Sequence, residues 1–431
     1  NAVFTGAVGA TTPLTSLTVS GTSDIDGGQV RTTGAQTYSG AVTLGAHTTL
    51  TGTVLSANST VSLGDYGLTL SASDSATIDG VISGTGGITQ NGAGRLDLMG
   101  NNTHSGQTVV KTGNASSVLG LGHKNALGTG ALVLDVTGHV EALVDLSGAD
   151  QILNDVNFFG KSSNLTVVGS RSLDIGGDIT IGGNRTANAI TNNITGGGVL
   201  KLSGSVSNNQ LFTKTLNIVG NGSTVISGVI QDGSETKTIA LFKSGAGTLT
   251  LSGANTYSGG TTVSAGILKA GASSSGSVTN GPFGVGSVTV SDGASLDVSG
   301  QTIANALSVQ GIGAGSSGAV FNSAATEGSL DGAITLSGAT TIKSVSGGDL
   351  TFGGAVDGAH GLTVVSDADV AFESAVGAST SLASVAVSAV TINVDAGLST
   401  NNGNIDFSGV TGTTTLAGAI ATGGGDLIGA G

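Results

Sequence analysis

The chain has no cysteine and no tryptophan, and its 431 residues include 2 prolines and 1 methionine. The missing cysteine excludes disulfide staples and thiolate metal sites, and leaves the redox compartment open. Charged residues make up 9% and aromatic ones 3% of the chain. A surface helix spends Glu, Lys, Arg and Gln on its wet face, so a predominantly helical fold is excluded. No apolar run approaches the roughly 18 residues of a helical membrane span. Position 1 is Asn, and no basic-then-apolar leader follows it. A targeting segment is therefore expected to have been removed or to lie outside this stretch.

What is abundant is glycine, 77 residues, together with Ser, Thr and Asn. A solvated low-complexity tail would share that bias, yet the hydrophobic fraction is 38% and the mean hydropathy +0.30, enough to build a core. The net charge of −14 is uneven: residues 1–269 hold 15 acids and 12 bases, whereas 270–431 hold 12 acids and Lys343 alone. Such a surface repels phosphate backbones and anionic lipid, so nucleic acid is not an expected partner.

Short alternating stretches recur throughout, among them "SLDIGGDITIGG" at 172, "TLTLSG" at 248, "SVTVSDG" at 287 and "SLDVSG" at 295. Each sets two apolar side chains on one face of a strand: Leu173 and Ile175, Ile179 and Ile181, Leu249 and Leu251, Val288 and Val290, Leu296 and Val298. Gly-rich corners separate them. One sandwich or barrel does not absorb 431 residues of this style. Repetition points elsewhere. "GAGRLDLMGNNTHSGQTVV" at 92–110 returns as "GAGTLTLSGANTYSGGTTV" at 245–263, and "AVGATTPLTSLTV" at 7–19 returns as "AVGASTSLASVAV" at 375–387. Self-similarity of this kind marks coils stacked on like coils. The expected fold is all-β, a parallel β-helix (β-solenoid) of about 20 coils and an elongated rod. Leu249, Leu251, Val263 and Ile267 are expected to point inward. The structural positions of the repeat are Leu96, Leu98, Gly100, Asn102 and Gly106, matched by Leu249, Leu251, Gly253, Asn255 and Gly259. Residues 1–271 read as a near-neutral solenoid, with one repeat at 92–135 and a second starting at 245; 272–431 read as its acidic continuation. A window of a longer tandem array is the expectation.

These residues carry a resemblance. The runs from Gly245 to "GPFGVGSVTVSDGASLDVSG" at 281–300, and from "GAGRLDLMGNNTHSGQTVV" to "NALGTGALVLD" at 125–135, resemble the passenger-associated strand repeat of autotransporters. The flanking style, as in "AVTLGAHTTLTG" at 41, resembles filamentous-haemagglutinin-type secreted adhesins. The resemblance implies a right-handed parallel β-helix, an extracellular, cell-surface location on a Gram-negative bacterium and a role in adhesion, aggregation or biofilm. Expected partners are neighbouring copies and a glycan or protein receptor. Membrane attachment would come through a barrel or anchor outside this stretch. An end-to-end stacking filament subunit is the alternative.

A polysaccharide-active β-helix enzyme is the rival reading, because the fold also hosts lyases and hydrolases. A glycosidase needs two carboxylates facing one groove. The pairs available are Asp24/Asp26, Asp174/Asp178, Asp292/Asp297 and Asp367/Asp369, and turn-forming or solvated aspartates account for all of them. No catalytic residue is assigned and the chain is not expected to be an enzyme. Asp24 and Asp26, in "SDIDGG", are weak calcium candidates that lack the later acids of a known loop; no cofactor is expected beyond non-specific Ca2+. His47, His104, His123, His139 and His360 show no metal-ligand spacing, and His104, standing where the second copy has Tyr257, reads as surface decoration. The Asn pairs are expected to form side-chain ladders at coil corners, and of Phe158 and Phe159 only one can face inward.

Overall fold

The computed structural model describes residues 1–429 except 112–116, 161–162, 184–185, 211, 234–236, 277 and 346. They form two compact units, Asn1–Leu216 and Asn217–Gly431. The strands are stacked as a parallel β-solenoid of about 19 turns, close to the expected 20. The only helical pieces among the described residues are the single 3-10 turns Gly148–Asp150 and Ala314–Ser316. Among the described residues no helix is long and apolar enough to cross a membrane.

In the first unit, Thr48, Leu68, Ile88 and Thr108 stand in register at steps of 20 residues, followed by Leu132 and Val156 at steps of 24. In the second, Leu241, Thr261, Val288, Leu307, Ile334 and Val356 form the corresponding column. Parallel pairing of each strand with its neighbours one coil away satisfies the ladder and leaves alternate side chains to fill the interior. All ten side chains expected inward from the alternating stretches are buried. Phe158 is buried and Phe159 exposed, as strand parity requires.

One inward assignment fails. Leu249, Leu251 and Val263 are buried, but Ile267 is half-exposed and Leu268 takes the inward place. The cause is Gly266, which adopts φ +71° and resets the alternation of the strand Gly266–Ala270 by one residue.

The 7–19 and 375–387 stretches build the same coil. Val8 bridges Val30 and Leu14 bridges Thr32, while Val376 bridges Leu398 and Leu382 bridges Thr400. Gly9 and Gly377 turn the chain at φ +71° and +74°. A residue at either position would place its Cβ 2.2 Å from a carbonyl oxygen of the next coil, that of Arg31 or Ser399. In the second unit Phe372 stacks on Phe352 of the preceding coil, with ring centroids 4.5 Å apart.

Candidate functional site

The repeated stretch is built around its asparagine. Asn102 is buried; its Oδ1 accepts from the Ile82 N–H of the preceding coil at 2.8 Å, and its Nδ2 donates to the Ala126 carbonyl of the following coil at 2.7 Å. Asn255 does the same in the second unit, between Ile230 N–H at 2.8 Å and the Pro282 carbonyl at 2.7 Å. One amide thus ties three coils at a corner where the strand ladder is interrupted. A carboxamide suits this place because it offers an acceptor and a donor on opposite sides.

The residues around the amide keep the same geometry. Leu96, Leu98, Leu249 and Leu251 fill the interior. Gly100 and Gly253 pass so close to the preceding coil that a Cβ would meet the Gly80 oxygen at 2.3 Å or the Gly228 oxygen at 2.4 Å. At Gly106 and Gly259 it would meet Gly86 C at 2.4 Å or Ile239 O at 2.5 Å. The expected repeat positions are therefore brought together, each as a fold-specifying contact. Two further inward polar positions carry no motif signal. Lys243 donates to the Ser244, Gly245 and Ala265 carbonyls at 3.0, 2.7 and 3.2 Å, and Gln90, its counterpart, donates to Gly94 O at 3.0 Å and Val118 O at 3.5 Å. Burial pushes the Lys243 ammonium down to about 8. Its parity with Leu241 is the sequence signal that places it inside.

The reading of His104 as surface decoration is wrong. Its side chain is completely buried, and so is Tyr257 at the matching position. From Leu98 through Gly100 and Asn102 to His104, and from Leu251 through Gly253 and Asn255 to Tyr257, every second residue is buried. Burial alone holds the imidazole down at about 4.

Several of the aspartates link one coil to the next. Asp178 accepts from Ser205 N–H at 2.9 Å and Ser205 Oγ at 2.8 Å on the next coil; Asp367 accepts from Gly347 N–H at 3.0 Å and Asp369 from Thr391 N–H at 3.1 Å. Asp174 and Asp297 are buried, contrary to a solvated reading. Asp174 meets Lys201 at 3.1 Å and Ser203 Oγ, and Asp297 meets Lys269 at 3.0 Å and Ser323 Oγ at 2.7 Å. Each lysine is the register partner of its aspartate one coil away. Lys201→Met is expected to cost about 1–3 kcal/mol in urea unfolding, because it strands a buried carboxylate beside a half-exposed partner, and Asp174→Leu in the same chain should recover part of the loss.

Asp24 is half-buried and Asp26 exposed, on a corner next to Gly45. Among the described residues no three or more His, Asp or Glu side chains gather in a metal-holding group. The Asn pairs act mostly on backbone: Asn208 Nδ2 donates to Phe212 O, and Asn192 Oδ1 accepts from Ile194 N–H. A side-chain ladder rung joins Asn125 Nδ2 to Asn101 Oδ1 at 2.7 Å. On the outside of the first unit, a groove of about 330 Å³ runs across adjacent coils and is lined by Arg31, Thr33, Thr51, Thr53, Ser71 and Ser73. Arg95 clamps the neighbouring surface, reaching Asp97 at 2.5 Å and Glu141 at 2.6 Å over Gly120, whose missing side chain makes the room.

The comparisons with known proteins agree with this geometry. The family model described as passenger-associated-transport-repeat matches residues 88–114 and 241–270; residues 112–114 lie outside the described ones. The adhesin BmaC autotransporter of Brucella suis biovar 1 (strain 1330) is 30% identical to this chain over 346 residues, 69% of the chain. The chain spans 9% of the length of that relative. No solved structure matches it. Both family matches fall on the coils that the buried asparagines tie together, so the chain carries two passenger-associated-transport repeats on a β-solenoid of stacked parallel strands and is similar over 69% of its length to an autotransporter adhesin.

Proposed function

We propose that the chain is part of a surface-displayed adhesin passenger on a Gram-negative cell, a non-catalytic solenoid that holds adhesive surfaces away from the membrane. The observation that carries this reading is the 30% identity to an autotransporter adhesin across 69% of the chain. The use of the carboxylates supports it, since those of Asp174, Asp178, Asp297, Asp367 and Asp369 are engaged in linking adjacent coils. The stacked coils spend their sequence on uniform repetition, as a scaffold does. The hydroxyl groove beside Arg31 is where a polar surface ligand would make contact. Roles in aggregation or biofilm follow if the ligand is carried by neighbouring cells.

The test is display of the chain on a non-adherent Gram-negative host, with cell adhesion and cell–cell aggregation measured against the empty display vehicle. Saturable adhesion that the soluble chain competes supports the reading. Adhesion equal to the vehicle on every surface tried, from a chain shown to be displayed and folded, overturns an adhesive role for this segment. In the adherent case, Arg31→Glu with Thr51→Val should reduce binding if the groove is the contact face.

A further inference from the structure

The two repeats differ at one inward position, and the difference leaves polar atoms without partners. In the second repeat the Tyr257 hydroxyl lies 2.5 Å from Thr261 Oγ1, and Thr261 Oγ1 in turn donates to the Phe283 carbonyl at 3.3 Å. In the first, His104 stands for Tyr257, Thr108 for Thr261 and Leu127 for Phe283. The correspondence is fixed by register, because Thr108 lies between Ile88 and Leu132 as Thr261 lies between Leu241 and Val288. It is also fixed by the capping glycines, since Gly128 at φ +63° sits on the His104 ring and Gly284 at φ +67° on the Tyr257 ring. Yet His104 Nδ1, His104 Nε2 and Thr108 Oγ1 are all buried without a hydrogen-bond partner. Both ring-bearing positions have shrunk: histidine lacks the phenolic oxygen and one ring atom of tyrosine, and leucine lacks the ring of phenylalanine.

We propose that the first repeat holds a single internal water molecule in the place of the Tyr257 hydroxyl, bridging His104 to Thr108 with the Leu127 carbonyl as third partner, and that this hydrated pocket is an acid-sensitive point of the first repeat. A buried water needs two to four polar partners and about 30 Å³ of room, and the site supplies the partners. Buried donors and acceptors are nearly always satisfied by protein or water, so an imidazole and a hydroxyl left orphaned where the second repeat pairs Tyr257 with Thr261 point to where a water belongs, on one of the two ring nitrogens.

The acid sensitivity follows from the same surroundings. The residues packed on His104 from below, 82–87, and from above, 125–130, include no titratable group, and neither does its own stretch 103–108. The neighbouring core strands Arg95–Leu98 and Val118–Leu121 bury the apolar Leu96, Leu98, Leu119 and Leu121. The nearest ionisable residues along the chain are Asp97, half-buried and paired with Arg95 at 2.5 Å, and Lys111, which is exposed; on the following coil His123 and Lys124 are half-exposed, and Lys124 is paired with Asp150 at 3.1 Å. No carboxylate is there to compensate a charged imidazole. In the unfolded chain the imidazole takes a proton near pH 6.5, and in the fold it does so only near 4. Between these values the open chain binds the extra proton, so stability is complete above pH 6.5 and is lost as the pH falls. The opening equilibrium should rise roughly 30-fold between pH 8 and pH 5 from this group alone. Tyr257 stays neutral over this range, its hydroxyl pushed far above the ordinary value by burial, so the second repeat lacks the response.

The test is amide hydrogen exchange on the full chain at pH 8 and pH 5, corrected for intrinsic rates, with His104→Tyr, His104→Phe and Thr108→Val compared. Expected is a roughly 30-fold gain in opening around residues 82–108 on acidification of the unsubstituted chain, abolished in His104→Tyr. His104→Phe should lose the acid response and yet open more than His104→Tyr at pH 8, because phenylalanine expels the water and strands Thr108. Thr108→Val in the His104 background should open more at pH 8, since the water loses a partner. If Phe protects as well as Tyr and Thr108→Val is silent, the pocket is dry and the proposal falls. If opening around residues 82–108 is unchanged between pH 8 and pH 5, the acid-sensitive point is refuted.

Discussion

Replacing Asn255 by alanine is expected to destabilise the second repeat by about 2–4 kcal/mol. The substitution removes one side chain but strands two backbone groups, the Ile230 N–H and the Pro282 carbonyl, which lie 2.8 and 2.7 Å from the amide in the intact corner. Each orphaned buried group costs about 1–3 kcal/mol, and the shortened side chain leaves a void in addition. Solvent denaturation measures the total, and exchange of the Ile230 amide localises it: that proton should lose protection before those of the strand Thr248–Leu251. Asn102→Ala should cost a comparable amount through Ile82 and Ala126. The two changes lie in different repeats with no shared partner, so their effects should add within about 0.5 kcal/mol. An Asn255→Ala chain as stable as the parent would mean that water replaces the amide at this corner.

Gly259→Ala is expected to cost about 1–3 kcal/mol, as overpacking does, and more if the coil cannot shift. Its Cβ would stand 2.5 Å from the Ile239 oxygen and 2.8 Å from the Ile239 carbon and Ala240 nitrogen, all backbone atoms of the coil below. A clash with backbone is relieved only by parting two coils, whereas a flexible side chain would swing away. Gly106→Ala meets the same obstacle at Gly86 and Gly87. Gly276→Ala is the control, because nothing lies within 4 Å of its Cβ and the change should fall within about 0.5 kcal/mol of the parent. Thermal unfolding of the three chains separates the readings: equal effects at positions 259 and 276 would show that the loss comes from glycine chemistry in general rather than from the close approach of stacked coils.

Much of the architecture was legible because a strand has a period of two and a stack of like coils repeats its own sequence. The inward pairs from Leu173/Ile175 to Leu296/Val298 follow from alternation alone. The repeated Asn-Thr with its glycines announced a structural unit, and the structure gave the asparagine its role as a tie across three coils. The errors came where parity was dropped or reset. His104 was placed outside because a position that accepts either histidine or tyrosine reads as unconstrained, although it continues the parity of Leu98 and Asn102. Ile267 was placed inside because a positive φ at Gly266 leaves no trace in the hydropathy of its neighbours. The partners of Asp174 and Asp297 were invisible for another reason: Lys201 and Lys269 lie about one coil away in the chain, and coil lengths here vary enough that only the folded register brings each pair together.

By itself, then, the sequence determined the class of fold, the alternation that fills the core and the recurrence of one structural unit. These depend on local geometry, on strand period and on the steric allowance of each residue, which are written residue by residue. Which coil faces which was decided by the tertiary structure, and with it which carboxylate meets a lysine, which asparagine ties its neighbours and which polar atoms are buried without a partner. Those outcomes depend on contacts between residues about 20 or more positions apart, and a single inserted residue in a corner shifts them all.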